Sequence, residues 1–281
     1  MLPGVHNALS ARLAERAGAR AVYLSGSAVS MALLGLPDIG LMSGTEMVDQ
    51  ARRITACIGV PLICDADTGY GNAVNVLHAV RMYEAAGVAG IQIEDQMFPK
   101  RCGHFDGKSL ISEEEMIGKI RAACAARVDP DFVIIARTDA IEELGVDAAV
   151  QRGQAYGRAG ADIVFVEAPR TLDDMRLIAS SIDAPLLINV VEGGKTPQLS
   201  LRDYAELGYR IVLYPTTNVR VTARALDDLY RFLLTEGTTE GYPGGMLEFD
   251  ERNSINELNR YQEWERTYVP PPKHLQSDEG T

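Results

Sequence analysis

Residues 64–72, CDADTGYGN, set Asp65 and Asp67 two positions apart behind an apolar run. On a β-strand such a pair faces one side. Hard carboxylate oxygens so placed suit a divalent ion, held directly or through its waters. Magnesium fits a site of this kind, because it keeps waters and takes few protein oxygens. No His or Cys cluster stands nearby, which argues against zinc. A second stretch, PKRCGHFDGK over residues 99–108, places Cys102 among Lys100, Arg101 and His104, with Gly103 and Gly107 loosening the chain. Neighbouring cations lower a thiol from its free pKa of about 8.5 toward neutrality, and a group so tuned is suited to giving or taking a proton. Two other readings stay open: a solvated basic loop, and a nucleophilic Cys–His pair, although no third orienting group is evident. TGYGNAV superficially resembles a dinucleotide fingerprint, but it lacks the third glycine and acids precede it where phosphate would sit.

Further polar residues stand wherever a short apolar run ends. After residues 20–24 come Ser25, Gly26 and Ser27; after 90–93, Glu94 and Asp95; after 132–136, Arg137 and Asp139; after 162–166, Glu167; after 185–188, Asn189. Charge that closes a buried strand is costly when unpaired. One such residue is explained by a helix cap or an ion pair, but six consecutive ends imply a shared polar site. Ser25-Gly26-Ser27 reads as a backbone nest for a carboxylate or phosphate, or as a plain tight turn. Arg137 reads as a bidentate clamp on a carboxylate, or as a buried ion pair with Asp139 or Glu167. Metal, arginine, nest and basic loop together describe a site for a small polyanion.

The elements that must bring these residues together repeat along the chain. A helical stretch ends in glycine and a short β-branched run follows, as in LAERAGARAVYLSG (13–26), YEAAGVAGIQIED (83–95), YGRAGADIVFVEA (156–168) and YAELGYRIVLYP (204–215). Glycine past a helix suits the left-handed cap, and short apolar runs suit strands buried on both faces. Seven strands are expected, centred near residues 22, 62, 92, 134, 164, 187 and 212, with MLPG at the start as the only candidate for an eighth. Helices are expected at 7–17, 73–86, 112–126 and 147–159, the third opened by a Ser112–Glu115 capping box. This alternation predicts a (β/α)₈ barrel over residues 1–240 rather than an open doubly wound sheet. Chemistry in such a barrel sits at the C-terminal ends of its strands, where the polar residues fall. A separate segment, 241–281, should hold a helix over 250–266 with Ile255, Leu258, Tyr261 and Trp264 on one stripe, packed on the barrel or on another subunit, and then a disordered tail.

Bulk composition narrows the partners. The 281 residues carry a net charge of −12, which argues against nucleic acid or an anionic membrane as partner. Cys57, Cys64, Cys102 and Cys124 form no C-x-x-C pair. That pattern implies a reducing compartment with neither a disulfide framework nor a zinc cluster. No apolar run reaches membrane-spanning length and no signal-like start is visible, so a cytoplasmic protein is expected.

YLSGSAVS…GLPDIG, DADTGYGN, IEDQ…PKRCGH, ARTDA, FVEAP and NVVEGGKTP together resemble the isocitrate lyase and phosphoenolpyruvate mutase superfamily. The likeness is strongest to its short carbon–carbon lyases, which act on 2-methylisocitrate, dimethylmalate or alkylmalates, and it covers roughly residues 2–240. The resemblance implies a (β/α)₈ barrel, a Mg²⁺ site that Mn²⁺ could also fill, a homotetramer and a small carboxylate substrate. It implies metal-associated acids at Asp65 and Asp67, with Asp38 and Glu94 in support. Tyr23, Ser25, Gly26 and Ser27 would bind a 2-oxoacid carboxylate, with Tyr23 a candidate base. Arg137, Glu167 and Asn189 would line the remaining pocket. Cys102, flanked by Lys100, Arg101 and His104, would be the acid that protonates a carbanion after retro-aldol cleavage. Ser27 replaces a small glycine compared with 2-methylisocitrate lyases, and Val191 replaces a hydroxyl that would help hold an extra carboxylate, which shifts weight toward a smaller dicarboxylate. Oxaloacetate hydrolysis or decarboxylation within the superfamily, and a barrel that only binds a metabolite, are the competing expectations.

Overall fold

The computed structural model describes residues 1–101, 103 and 107–270. Eight parallel strands close into one barrel in chain order: β1 (Leu2–Val5), β2 (Val22–Leu24), β3 (Leu62–Asp65), β4 (Gly90–Glu94), β5 (Val133–Thr138), β6 (Ile163–Val166), β7 (Leu186–Asn189) and β8 (Ile211–Tyr214). The helices are α1 (Ala8–Arg16), α2 (Gly26–Val29), α3 (Gly44–Thr55), α4 (Ala73–Ala85), α5 (Glu113–Ala126), α6 (Ala140–Leu144), α7 (Val146–Ala159), α8 (Leu172–Ser181), α9 (Leu201–Leu207), α10 (Thr217–Glu236), α11 (Phe249–Ile255) and α12 (Leu258–Tyr268). A π-turn over Ser30–Leu34 continues α2.

All seven expected strands form, and the MLPG segment supplies the eighth. β1 pairs with β2 through Gly4 opposite Tyr23, and with β8 through Leu2 opposite Leu213. The four expected barrel helices also form, to within one residue at most ends. Ser112 caps α5 by accepting from Glu115 N at 3.1 Å, but only this half of the expected capping box is made. Both halves are present at Ser43–Glu46, which opens α3.

Strand alternation decides what faces the barrel axis. Leu2, Tyr23, Ile63, Ile135, Phe165, Leu187 and Leu213 form one buried cluster inside the barrel. Each such side chain contributes about 1.5–3 kcal/mol relative to exposure. The opposite faces, including Val22, Leu24, Leu62, Cys64, Ile91 and Ile93, pack outward against the helices. Two residues beyond five of these seven, the same face carries a polar group: Ser25 after Tyr23, Asp65 after Ile63, Arg137 after Ile135, Glu167 after Phe165, Asn189 after Leu187. An apolar plug therefore supports a polar layer at the C-terminal ends of the strands.

The chain divides into two compact units, Met1–Arg224 and Ala225–Thr281. The division falls inside α10, ahead of the boundary at residue 240 read from the sequence. In the second unit the single helix expected over 250–266 is two helices. Glu257 between α11 and α12 takes a left-handed conformation, φ 55°, which interrupts the helix. Of the expected stripe, Ile255 is buried whereas Leu258, Tyr261 and Trp264 are exposed. Most of the expected tail lies outside the described residues.

Candidate active site

A cavity of about 470 Å³ opens at the polar layer, within the first unit. Of the residues singled out in the sequence, Tyr23, Ser25, Ser27, Asp38, Asp65, Lys100, Arg137, Glu167 and Asn189 line it. Gly26, Asp67 and Glu94 touch those lining residues, as described below. Arg101 is exposed and borders a separate shallow recess, with Gln96, Met97 and Lys108. Cys102 and His104 lie outside the described residues. Gly103 does line the cavity, as does Lys100, so described residues on both sides of Cys102 reach it.

The acids of the CDAD stretch are tied down from several sides. Asp65 accepts from Gly26 N through Oδ2 and from Asp67 N through Oδ1, both at 3.2 Å. A Cβ on Gly26 would lie 3.0 Å from Asp65 Oδ2, so glycine eases this close approach. This bond takes up the Gly26 amide, and Ser25 Oγ accepts from Ala28 N to cap α2, so the SGS segment is a helix start that holds a protein carboxylate. Asp67 sits at φ 46°, and Gly69, Tyr70 and Gly71 also have positive φ, so the turn after β3 is tightly wound. Tyr83 OH donates to Asp65 O at 3.1 Å and shares a 2.7 Å bond with Tyr70 OH, bracing that turn from behind.

Lys100 reaches across to these acids. Its ammonium donates to Asp38 Oδ1 and stands 3.0 Å from Asp67 Oδ1. That second contact is an ion pair out of hydrogen-bond alignment, so Asp67 Oδ1 has no hydrogen-bond donor. Burial opposes the Lys100 charge, but Asp67 and Asp38 more than compensate and raise its pKa well above the ordinary lysine value. Burial lifts Asp67 to about 6 against the pull of Lys100. Burial also raises Tyr23, with Asp65 adding to the effect, so its phenol is neutral near pH 7.

Arg137 is the fixed cation of the opposite wall. Nε and Nη2 donate to Asp139 at 2.8 and 2.9 Å, the bidentate geometry that guanidinium prefers. Nε also lies 3.4 Å from Glu94 Oε2, Nη2 lies 3.9 Å from Glu167 Oε1, and the guanidinium stands 5.2 Å from the Phe165 ring centre. The ion-pair reading of Arg137 is thus realised, and the group still lines the cavity. Asn189 Nδ2 donates to both Glu167 oxygens at 3.3 Å. Burial drives Glu94 well above the ordinary carboxylate range despite Arg137.

Four buried polar atoms around this one site lack hydrogen-bond partners: Asp67 Oδ1, Gln92 Oε1, Glu94 Oε1 and Asn189 Oδ1. Native interiors rarely leave such atoms unmet, and a cluster of them marks a place where something binds. Asp38, Asp65 and Asp67 offer the hard oxygens that Mg²⁺ prefers. Among the described residues no three His, Cys, Asp or Glu side chains approach closely enough to cage an ion by themselves. That donor set fits an ion that retains waters and takes other oxygens from a ligand.

Sequence reasoning missed Gln92, which lines the cavity two residues before Glu94; the same-face rule would have found it. It also missed Lys108, whose ammonium donates to Gly103 O and lies 2.9 Å from Glu142 Oε2 and 3.5 Å from Asp139 Oδ1. No local pattern announces such a long-range partner.

A closed parallel barrel whose strand ends deliver acids, an arginine and a lysine to one cavity has the layout of a barrel enzyme. The phosphoenolpyruvate phosphomutase family profile matches residues 1–234. The 2,3-dimethylmalate lyase of Eubacterium barkeri is 48% identical over 267 residues, covering 95% of this chain and 92% of that protein. The 2-methylisocitrate lyase of Halalkalibacterium halodurans is 40% identical over 264 residues, covering 94% and 86%. Among solved structures, oxaloacetate acetylhydrolase with the inhibitor 3,3-difluorooxalacetate superposes with a TM-score of 0.90 at 33% identity, covering 96% of this chain and 92% of that one. Phosphonopyruvate hydrolase with oxalate and Mg²⁺ superposes with a TM-score of 0.86 at 35% identity, covering 96% and 94%. The chain belongs to the phosphoenolpyruvate phosphomutase family, and its near relatives put it among the carbon–carbon lyases of that superfamily.

Proposed function

We propose that this chain cleaves the C2–C3 bond of a 2-hydroxy dicarboxylate of the 2-alkylmalate type, with 2-methylisocitrate as the tricarboxylate counterpart. The products are a 2-oxoacid such as pyruvate and a carboxylate such as propionate or succinate. The observation that carries this reading is the convergence of Asp65, Lys100, Gly103, Arg137, Glu167 and Asn189 on one cavity. Val191 also lines it, which supports a smaller, more alkyl substrate than a tricarboxylate.

Asp65 and Asp67, with Asp38 beside them, would hold Mg²⁺ or Mn²⁺. The ion would polarise the forming carbonyl of the 2-oxoacid. Lys100 contributes a fixed positive charge at the same acids. The neutral phenol of Tyr23 acts as a hydrogen-bond donor to the substrate, not as the base. The 2-hydroxyl proton passes to a general base among the carboxylates of the site, and the C2–C3 electron pair moves onto C3. Arg137 and Asn189 meet the charge that develops on the departing carboxylate. The Cys102 thiol then gives its proton to C3, with Lys100, Arg101 and His104 near it in sequence favouring the thiolate left behind. The working molecule is a cytoplasmic homotetramer, with its barrel spanning residues 1–240.

The test is a panel of 2,3-dimethylmalate, 2-alkylmalates, 2-methylisocitrate and oxaloacetate, scored for 2-oxoacid or oxalate release with and without Mg²⁺. Release of a 2-oxoacid from the malates is expected, pyruvate from 2,3-dimethylmalate, with Cys102→Ser nearly abolishing turnover and leaving substrate affinity largely intact. Full turnover by Cys102→Ser would remove the thiol from the mechanism. Oxalate release from oxaloacetate alone would favour hydrolysis, the reading that the likeness to oxaloacetate acetylhydrolase supports. Binding without turnover would favour a metabolite-binding barrel.

A further inference from the structure

Asp95 is wholly buried directly after Glu94, and the chemistry above makes no use of it. Its carboxylate accepts four hydrogen bonds. Thr138 Oγ1 donates at 2.7 Å and Asp139 N at 2.9 Å, from the end of β5. Arg152 Nη1 donates at 2.9 Å and Tyr156 OH at 2.7 Å, both from α7 outside the strands. Thr138 and Asp139 are the two residues that follow Arg137, and the Asp139 carboxylate holds the Arg137 guanidinium. Asp139 precedes α6 and makes no side-chain cap bond there; its own N–H is held by Asp95 Oδ1.

The same network reaches the segment that carries Lys100. Arg152 Nη2 donates to Ile111 O at 3.0 Å, and Ile111 N donates to Asp95 O at 2.9 Å. Just before Ile111, Leu110 bridges to Gln96 and Ser109 O accepts from Met97 N, closing the stem of that segment. Asp95, through its carboxylate, its backbone carbonyl and Arg152, therefore ties α7 to both walls of the cavity. Stability alone is a weak reason for such a network, since apolar replacements of buried ion pairs are often neutral or stabilising.

We propose that Asp95, gripped by Arg152 and Tyr156, is a positioning group for the reaction: it sets Asp139, and so aims the Arg137 guanidinium, while pinning the stem of the segment that bears Lys100. The turnover part of this proposal rests on the lyase reading; the positioning of Arg137 does not.

The test uses the full chain labelled with ¹⁵N-arginine, with the Arg137 Nε–H signal identified by its loss in Arg137→Lys. In the wild type that proton should exchange slowly with solvent. In Arg152→Met and Asp95→Asn it should exchange at least about tenfold faster, the scale expected for losing a charged hydrogen bond. Tyr156→Phe, which keeps the packing, should give an increase of about threefold. Arg152→Lys should recover part of the protection. On the substrate that the wild type turns over, kcat should fall in the same order as protection is lost, with KM changing less. If a variant unfolds more readily yet Arg137 exchange and kcat stay within about twofold of wild type, the network is structural only and the proposal is overturned. Should Arg152→Met and Asp95→Asn fail to fold, Tyr156→Phe decides by the same criteria. A wild type inactive on every acid would sink the lyase reading alone, because the exchange measurement is made on the free protein.

Discussion

Gly103 shows how little room the cavity wall leaves. A Cβ at this position would overlap both Arg137 Nη2 and Glu167 Oε1, so only glycine lets the backbone lie against that pair. Gly103→Ala is expected to lower kcat/KM about a hundredfold, because a displacement of about 1 Å in a reacting group costs that much. Its unfolding free energy in urea should change by less than about 0.5 kcal/mol, because the strain falls on a loop at the cavity. Unaltered kcat/KM would mean that Gly103 leaves this wall during turnover. Asp65 stands on the other side of the site with both oxygens held by backbone amides. Removing it takes away an oxygen donor and frees the Gly26 and Asp67 amides. Asp65→Ala should weaken Mg²⁺ binding by at least about tenfold in calorimetry; wild-type affinity would detach this acid from the metal.

β1 is the shortest argument for the barrel and the easiest strand to overlook. LPGV has one proline, one glycine and no alternation, yet it closes the barrel between β8 and β2. Gly4 is the reason it fits: a Cβ there would run into the carbonyls of Tyr214 and Pro215. Gly4→Val should therefore destabilise the fold by about 3 kcal/mol or more, read as a lower urea midpoint with an unchanged slope. An unmoved midpoint would show that β1 closure adds little. The other strands were plain in the sequence because strands buried on both faces leave continuous apolar runs, and the polar residue that ends each run marked the cavity. Period-two geometry carries this information locally, which is why Asp65, Arg137, Glu167 and Asn189 were legible without coordinates. What stayed hidden depends on contacts between distant segments. Lys108 meets Glu142, Arg152 meets Asp95, and Glu257 breaks a helix whose stripe continues on either side of it. Periodicity says which face of an element is apolar; it does not say which charge waits across the interface.

The second unit, from Ala225 onward, does not bury the apolar side chains it carries. Among its described residues Ile255 is its one buried apolar side chain, whereas Leu226, Tyr230 and Leu233, at helical spacing on α10, are 41%, 55% and 37% exposed. Leu234 is 86% exposed, and Trp264 and Tyr268 on α12 are 42% and 77% exposed. Single exposed apolar residues are ordinary, but an extended set of them on two helices is the feature expected of a subunit contact. The stripe ending at Trp264 had two readings in the sequence, contact with its own barrel or contact with another subunit, and the state of assembly in solution separates them. The net charge of −12 opposes indiscriminate association, so contact should be confined to this apolar face. Sedimentation at micromolar concentration should then show a single species of four chains. Placing carboxylates on α10 with Tyr230→Glu and Leu233→Glu should break it into smaller species, because each unpaired charge would have to be buried at the contact. The double variant should keep its helical circular dichroism, since both positions are exposed in the single chain. A wild type that sediments as one chain, or a double variant that stays fully assembled, would rule out this face as the subunit contact.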